Sequence, residues 1–359
     1  MNLQDIDKAF ALNQNIKHQD MVYYSIPNDN FDLYGVFYDK KTSQFTRMDL
    51  SVASKVNNGV KVLATNTSGG RLKFSTNSTR LEINVTYNQL NVMSHMAIEG
   101  SSGFMLLEEN NCETIGFCKM LPPTSDQKTG YNLSVELPKG KMRDYVLWFP
   151  LYNQVKSLTI GLDKDCKVSN GKKYKEIKPI LYYGSSITQG GCASRPDNSY
   201  PALISKWTNV DFVNFGFSGS GLAEENMINY LAQIDCSLFV CDYDHNAPNV
   251  DYLEKTHYRL YEIFRKVKKD IPILFLSAPS NSFDNVSRKD RKKVIKNTYI
   301  KAKSQGDNNV YFIDGESLLG KKDRINCMVD NCHPTDLGFY RMAKKIYQKI
   351  ICIDEKFKG

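Results

Sequence analysis

The sequence predicts an antiparallel β-sandwich followed by an α/β domain in which helices cover both faces of a parallel sheet. Short runs that alternate polar and apolar residues fill the first half of the chain, whereas apolar strands alternate with helix-period segments in the second half. At 359 residues the chain also exceeds the usual size of a single hydrophobic core. We therefore expect two domains, over residues 1–170 and 171–359.

The amino-terminal strands are predicted from period-two alternation between turn residues, which is typical of half-buried strands. The runs are 31–38, 71–75, 81–87, 104–107 and 145–149. A jelly-roll-like sandwich is the expected result. The polar, lysine-rich segment 164–178 is the expected linker.

The second half alternates strands and helices. The predicted strands are 180–183, 211–215, 238–242, 273–277 and 310–313. One amphipathic helix is indicated by apolar residues spaced by three and four, namely Leu253, His257, Leu260, Phe264 and Val267, and a last helix after Thr335 by Phe339, Met342, Ile346 and Ile350. Strict βα alternation implies about five parallel strands, so their carboxyl ends share one edge of the sheet.

Composition excludes several classes of protein. The net charge of +8 comes from scattered lysines without interleaved aromatic residues, so no nucleic-acid partner is expected. No stretch is long enough to cross a bilayer, and the first thirty residues lack a basic start followed by an apolar run. We expect no membrane partner and a cytoplasmic protein as numbered, or a secreted one if a leader was removed. The oligomeric state is not predicted.

The nine cysteines are irregularly spaced and none forms a Cys-x-x-Cys pair. Cys327, Cys332 and His333 resemble part of a metal cluster, but no fourth ligand lies at a familiar spacing. Reduced structural thiols are the favoured interpretation, and no metal is predicted.

Four chemically important segments follow strands of the predicted sheet. Ser186 lies in a small-residue turn after the first strand, and Gly219 lies in a glycine-rich turn after the second. Asn246 follows the third strand, while Asp330 and His333 come after the fifth and directly before the last helix. Because ligands of open α/β sheets bind outside the carboxyl ends of the strands, these side chains are expected to meet there.

These residue types fit acyl transfer through a serine, which needs a base, a group that orients the base, and donors for the oxyanion. His333 is the candidate base, and Asp330 is either its orienting carboxylate or a cap that fixes the backbone. The N–H groups of Ser186 and Gly219 and the side chain of Asn246 are the candidate oxyanion hole.

Each residue also has a structural interpretation. Gly219 could serve only a tight turn, Asn246 could cap a turn or helix, and His333 could be a surface residue. Arg195 could contact substrate or form a surface salt bridge, and His245 could line the pocket or act through a neighbour. The occurrence of serine, glycine, asparagine and histidine at successive strand ends favours catalysis.

The four segments resemble the SGNH hydrolases, also called GDSL esterases. Ser186 matches the nucleophile block, Gly219 the glycine block, Asn246 the asparagine block, and Asp330 with His333 the terminal Asp-x-x-His. The resemblance implies a flavodoxin-like three-layer α/β/α fold and ester hydrolysis without a metal or organic cofactor. Ser185 replaces the family's aspartate, and residues 244–246 replace its usual Gly-x-Asn-Asp.

A narrower resemblance covers nearly the whole chain. Segments 101–104, 142–144, 149–153 and 242–246 are similar to bacterial SGNH hydrolases with a β-sandwich ahead of the catalytic domain. At 103–107, relatives tend to have Gly-Phe-Asp-Leu-Tyr where this chain has Gly-Phe-Met-Leu-Leu. The resemblance implies a serine esterase for small acyl, foremost acetyl, esters of a small molecule or oligosaccharide. A lipase or thioesterase, or a non-catalytic carbohydrate-binding protein, are the alternatives.

Overall fold

The computed structural model describes residues 6, 13–14, 20–110, 113–279 and 286–359. No helix in the described ranges is long and apolar enough to cross a membrane.

The first half forms an antiparallel sandwich. Its strands are β1 (Asn13–Gln14), β2 (Met21–Ser25), β3 (Asp32–Tyr34), β4 (Phe37–Asp39), β5 (Gln44–Thr46), β6 (Arg71–Thr76), β7 (Arg80–Thr86), β8 (Phe104–Asn110), β9 (Glu113–Leu121), β10 (Gly130–Glu136), β11 (Arg143–Trp148), β12 (Ser157–Asp163) and β13 (Val168–Asn170). One sheet has the order β1-β10-β7-β12-β2, and the other has β13-β6-β11-β8-β9 with β3 beside β6. Apolar side chains from the two sheets, such as Phe74, Ile83 and Leu147, fill the space between them.

The second half forms a parallel sheet of β14 (Ile180–Gly184), β15 (Phe212–Gly216), β16 (Leu238–Asp242), β17 (Ile273–Leu276) and β18 (Val310–Ile313). Its order is β15-β14-β16-β17-β18, the flavodoxin-like order in which the second strand along the chain precedes the first. These strands are almost wholly apolar because helices cover both faces. The chain therefore has the predicted fold class.

The helices alternate with these strands and also occur in the first half. The α-helices are α1 (Leu50–Val56), α2 (Asn58–Leu63), α3 (Ile98–Ser102), α4 (Ser186–Gln189), α5 (Tyr200–Thr208), α6 (Glu225–Gln233), α7 (Val250–Val267), α8 (Val286–Ser304) and α9 (Asp336–Ile353). Short 3₁₀ helices lie at Pro196–Asn198, Gly315–Ser317, Arg324–Cys327 and Glu355–Phe357.

Two predictions of local structure need correction. Val267, expected on the buried face of α7, is 48% exposed because it is the last residue of that helix, although the other four members of the stripe are buried. The expected linker 164–178 contains β13, which pairs with β6. The stripe of α9 is buried as predicted.

The sandwich half and the parallel sheet share hydrophobic cores. Met105 and Trp148 pack in one apolar cluster with Tyr182 and Phe212 of the parallel sheet. On the other face, α1 and α2 from the first half pack in a cluster with β15. The division at residue 170 stays a prediction, and side chains from both sides of it fill common cores.

Arg47 links the two halves through hydrogen bonds. It is almost fully buried, and its guanidinium donates to the carbonyls of Asn214 and Gly216 at 2.8 Å each and to that of Leu63 at 2.6 Å. The first two carbonyls belong to the end of β15. A side chain of the first half thus fixes the strand end that leads to Gly219.

Candidate active site

The turn between β14 and α4 places Ser186 at the carboxyl edge of the sheet. Ser185 caps α4, since its hydroxyl accepts a hydrogen bond from the N–H of Ile187 at 3.2 Å. A Cβ on Gly184 would overlap the side chains of Asp242 and Thr188, so only glycine fits there. Ser186 is the first residue of α4, where an N–H has no partner within the helix. The hydroxyl and the backbone N–H of Ser186 thus lie together at the carboxyl edge of the sheet.

Asp242, at the end of β16, fixes this turn through hydrogen bonds. Its carboxyl group accepts hydrogen bonds from the hydroxyls of Thr188 and of Tyr200, the latter at 3.2 Å. Burial raises the pKa of Asp242 to about 8, although the hydrogen bond from Thr188 acts in the opposite direction. The nucleophile turn therefore rests on a carboxyl group that keeps its proton at neutral pH.

Asp244 fixes the next loop in a similar way. Its carboxylate accepts the N–H of Ala278 at 3.0 Å, and burial raises its pKa to about 6. The hydrogen bonds of Asp242 and Asp244 thus fix the loops at this edge of the sheet.

Ser186, His333 and Asp330 form a continuous hydrogen-bonded line. Ser186 Oγ lies 3.0 Å from Nε2 of His333, although 147 residues separate them along the chain. Nδ1 of His333 lies 2.8 Å from a carboxylate oxygen of Asp330. The other oxygen of Asp330 accepts the N–H groups of Cys332 and His333, both at 2.6 Å. Asp330 therefore makes both of the contacts considered from the sequence, to the ring and to the backbone.

The electrostatics of Asp330 fix the orientation of the imidazole. Burial opposes its ionisation, but the hydrogen bonds from the ring and backbone of His333 and from the backbone of Cys332 lower its pKa to about 2. An ionised Asp330 can only accept, so Nδ1 of His333 carries the proton. Nε2 then presents a lone pair to the hydroxyl of Ser186, as a general base requires.

The loop that carries His333 is fixed by the start of α9. Thr335 caps the helix through its hydroxyl, which accepts the N–H of Gly338 at 3.3 Å, and its own N–H donates to the carbonyl of Cys327 at 2.9 Å. The carbonyl of His333 accepts from Val329 at 2.8 Å. The position of the imidazole is thus set by backbone contacts on both sides.

Gly219 and Asn246, two predicted oxyanion donors, are hydrogen-bonded to each other. The N–H of Gly219 donates to the side-chain oxygen of Asn246 at 3.2 Å. The amide nitrogen of Asn246 donates to the carbonyl of Phe217 at 2.8 Å and, more weakly, to that of Gly221 at 3.3 Å. Gly219 has a φ of +64°, which favours glycine. The expected donors are adjacent, but neither has its hydrogen free for a ligand in this arrangement.

Arg195 and His245, the two candidate substrate contacts, lie in different settings. Arg195 forms an ion pair at 2.9 Å with the buried carboxylate of Asp197, so its contacts match the salt-bridge alternative. His245 is half-buried, with Nδ1 3.8 Å from the thiol of Cys332. Burial, and then the charge of Arg288, lowers the pKa of His245 to about 3, which keeps the imidazole neutral.

Among the described residues of the first half, the side chains of Tyr152 and His95 reach this site and were not predicted. The hydroxyl of Tyr152 donates to the carbonyl of Ser186 at 3.3 Å, and the ring of His95 lies 5.7 Å from the ring of His333. Tyr152 falls in segment 149–153, which already carried the family resemblance, so that segment was an available signal. His95 stands in a loop without periodicity or motif, and its position follows only from the packing of the two halves.

Family comparisons match the two halves separately. Residues 177–352 match the GDSL-like lipase/acylhydrolase family, and residues 21–168 match the amino terminus of SGNH-hydrolase-type esterases. No curated protein sequence matches the chain significantly.

Solved structures resemble the whole chain. A protein described as a GDSL-like lipase from Bacteroides ovatus is 27% identical, with a TM-score of 0.83 over 94% of this chain and 100% of that one. The salicylyl-acyltransferase SsfX3 of a tetracycline biosynthetic pathway is 16% identical, with a TM-score of 0.75 over 94% and 98%. A family two carbohydrate esterase from Cellvibrio japonicus is 13% identical, with a TM-score of 0.65 over 94% and 99%. At these low identities, the last two structures show only that this chain shares their fold.

Proposed function

The chain belongs to the SGNH hydrolases, with a GDSL-like lipase/acylhydrolase domain behind an SGNH-type amino-terminal domain, and we propose that it is a serine esterase for small acyl, foremost acetyl, esters of carbohydrates. The observation that carries the catalytic proposal is the line from Ser186 Oγ through His333 to Asp330, with contacts of 3.0 and 2.8 Å. This order of hydroxyl, imidazole and carboxylate is the arrangement that activates a serine.

In the first half-reaction Ser186 Oγ attacks the ester carbonyl while Nε2 of His333 removes the hydroxyl proton. The carbonyl π electrons move to oxygen, and the ionised Asp330 stabilises the imidazolium. Collapse of the tetrahedral intermediate breaks the bond to the alcohol, which leaves with the proton from His333. Water then repeats the sequence on the acyl-enzyme, releasing the acid and restoring Ser186.

The oxyanion is held by the N–H groups of Ser186 and Gly219 and by the side-chain amide of Asn246. In this step the carbonyl oxygen of the substrate replaces the side-chain oxygen of Asn246 as the acceptor of the hydrogen bond from the N–H of Gly219. Asn246 turns one N–H toward it by giving up its longer bond to Gly221, at 3.3 Å, and keeps the shorter bond to Phe217. Each such donor contributes about 3 kcal/mol to transition-state stabilisation.

The enclosure of Ser186 supports a small acyl group. The residue is only 6% exposed, and Tyr152, His95 and Gly191 lie close to the backbone of Ser186 or to the ring of His333. A long acyl chain would need an apolar groove leading from Ser186. The carbohydrate alcohol is supported by the fold shared with a family two carbohydrate esterase and by the attached sandwich.

Release of acid from a panel of esters tests this proposal. The panel contains acetylated xylan, mannan and monosaccharides, a nitrophenyl series from acetate to octanoate, and an acyl thioester. We expect acetate release from the sugar esters, a steep decline with acyl length, and no turnover by Ser186→Ala. A preference for octanoate or for the thioester would contradict the proposed carbohydrate ester and indicate a lipase or a thioesterase instead. Binding of the glycans without release of acid would contradict catalysis.

A further inference from the structure

Three potential metal ligands from both halves of the chain converge beside the proposed active site. His95 comes from the first half, Cys192 from the loop after α4, and His333 from the loop before α9. Their ligand atoms all lie within 4.8 Å of one another. We propose that His95, Cys192 and His333 bind Zn²⁺ or a similar soft divalent cation, and that the bound cation blocks Ser186 reversibly.

The donor set suits such a cation. Zinc prefers imidazole nitrogen and thiolate sulfur, with bonds of about 2.0–2.3 Å in a tetrahedral shell. Those bonds place neighbouring ligand atoms about 3.3–3.8 Å apart, so a contraction of roughly 1 Å would complete the site. His95 is exposed and can supply that movement. Three protein ligands leave the fourth position for water.

The hydrogen bonds of His333 determine which of its nitrogens can bind. Nδ1 is held by Asp330 at 2.8 Å, so the cation must take Nε2. Nε2 is the atom that lies 3.0 Å from Ser186 Oγ. A carboxylate on the second nitrogen of a metal-bound histidine stabilises metal binding, and Asp330 already occupies that position. Cation binding and activation of Ser186 are therefore mutually exclusive.

Cys192 is well placed to serve as the third ligand. Its φ of +72° is rarely adopted by residues other than glycine, and it follows Gly190 and Gly191 in a tight turn. Its thiol lies 3.4 Å from the carbonyl of His95, so its sulfur already faces the His95 loop. On binding, the thiol loses one proton to solvent and the sulfur takes the cation, which balances the exchange.

Inhibition by Zn²⁺ tests the functional consequence, which depends on the proposed esterase activity. Acetyl ester hydrolysis is measured against Zn²⁺ for the wild type, His95→Ala, Cys192→Ser and the control Cys352→Ser, which removes an exposed thiol elsewhere. Each protein is normalised to its own rate without metal. We expect half-inhibiting concentrations at least about tenfold higher for the first two variants and an unchanged value for the control. Unaltered inhibition of Cys192→Ser or of His95→Ala would overturn the proposal.

A spectroscopic measurement separates this proposal from the esterase assignment. Co²⁺ is titrated into Ser186→Ala, which is inactive by design, and thiolate-to-cobalt charge-transfer absorption is followed. We expect a band that corresponds to one Co²⁺ site per chain. In the Ser186→Ala background, the band should remain when Cys332→Ser is added and disappear when Cys192→Ser or His333→Ala is added. Absence of the band in Ser186→Ala would overturn the metal site even if the esterase activity is found. Its presence in a protein without esterase activity would support the metal site and reject only the catalytic proposal.

Discussion

The backbone N–H of Gly219 donates to the side-chain oxygen of Asn246 at 3.2 Å. The N–H of Gly219 and the amide nitrogen of Asn246 are both proposed donors to the same oxyanion, whereas in the free protein the oxygen of Asn246 accepts from Gly219. The carbonyl oxygen of a substrate must displace this contact to receive the hydrogen of Gly219, and Asn246 must give up its bond to Gly221 to donate a hydrogen of its own. The Asn246 side chain is thus expected to change partners during catalysis, which distinguishes a catalytic amide from one that only fixes a turn.

Asn246→Asp tests the donor role, because a carboxylate can accept from Gly219 but can donate neither to an oxyanion nor to the carbonyls of Phe217 and Gly221. We expect kcat to fall by about 10²–10³-fold, the usual effect of losing one oxyanion donor. The matched control is Asn249→Asp, since Asn249 caps α7 by accepting the N–H of Tyr252 at 2.8 Å and aspartate caps equally well. Both variants are compared by steady-state kinetics on an acetyl ester. A similar kcat in the two variants would assign Asn246 a structural role only.

Asp330→Asn tests the orientation of the imidazole. The amide can still accept the backbone N–H groups of Cys332 and His333, but it no longer imposes a proton on Nδ1 of His333. We expect kcat to decrease by between about 10² and 10⁴-fold while the fold is retained. Asp323→Asn, an exposed position in the preceding loop, is the control. Wild-type kinetics in Asp330→Asn would show that the carboxylate only caps the loop.

Asp242 is predicted to make stability depend on pH. An unfolded aspartate is ionised above its ordinary pKa of 3.8, whereas Asp242 keeps its proton up to about pH 8. The folded state binds the extra proton between these values, so the free energy of unfolding falls as pH rises, by at most about 1.4 kcal/mol per pH unit. Asp242→Asn should remove this slope between pH 6 and 8.

Chemical denaturation of wild type, Asp242→Asn and the exposed control Asp235→Asn at pH 6, 7 and 8 measures the effect. Asp244 has a pKa of about 6 and contributes mainly below this range. The control should keep the wild-type slope. The same slope in Asp242→Asn as in wild type would mean that this carboxyl group is already ionised at pH 6.

Arg47→Met tests whether the first half stabilises the site through β15. The substitution leaves the carbonyls of Leu63, Asn214 and Gly216 without this donor. We expect a loss of roughly 3 kcal/mol or more in the free energy of unfolding, since each buried unsatisfied group costs about 1–3 kcal/mol. Arg259→Met removes an exposed pair with Glu225 and should cost less than about 1 kcal/mol. Equal losses in the two variants would contradict this role.

Much of the α/β half could be predicted because its strands are short apolar runs that end at glycine or polar residues. The strand 238–242 has the predicted bounds, and the turn that follows carries Asn246 to the expected edge. Val267 was placed wrongly because periodicity does not show where a helix stops contacting the sheet. The site residues from the first half could not be deduced from spacing, since His95 reaches His333 only through packing.

The orientation of Asn246 likewise depends on tertiary structure. The sequence indicates that an amide lies at the strand end, but the carbonyls of Phe217 and Gly221 determine where its hydrogens point. Arg195 is a similar case, because the buried carboxylate of Asp197 competes with any ligand for the guanidinium. Their roles therefore stay predictions.

Covalent labelling by a fluorophosphonate tests the central claim most directly. The reagent reacts with a serine only where the hydroxyl is activated, and mass spectrometry of the digested protein locates the adduct. The account predicts stoichiometric modification of Ser186, retained in Ser185→Ala and abolished in Ser186→Ala and His333→Ala. An unmodified Ser186 in the folded wild-type protein, or an adduct at Ser185 in its place, would contradict it.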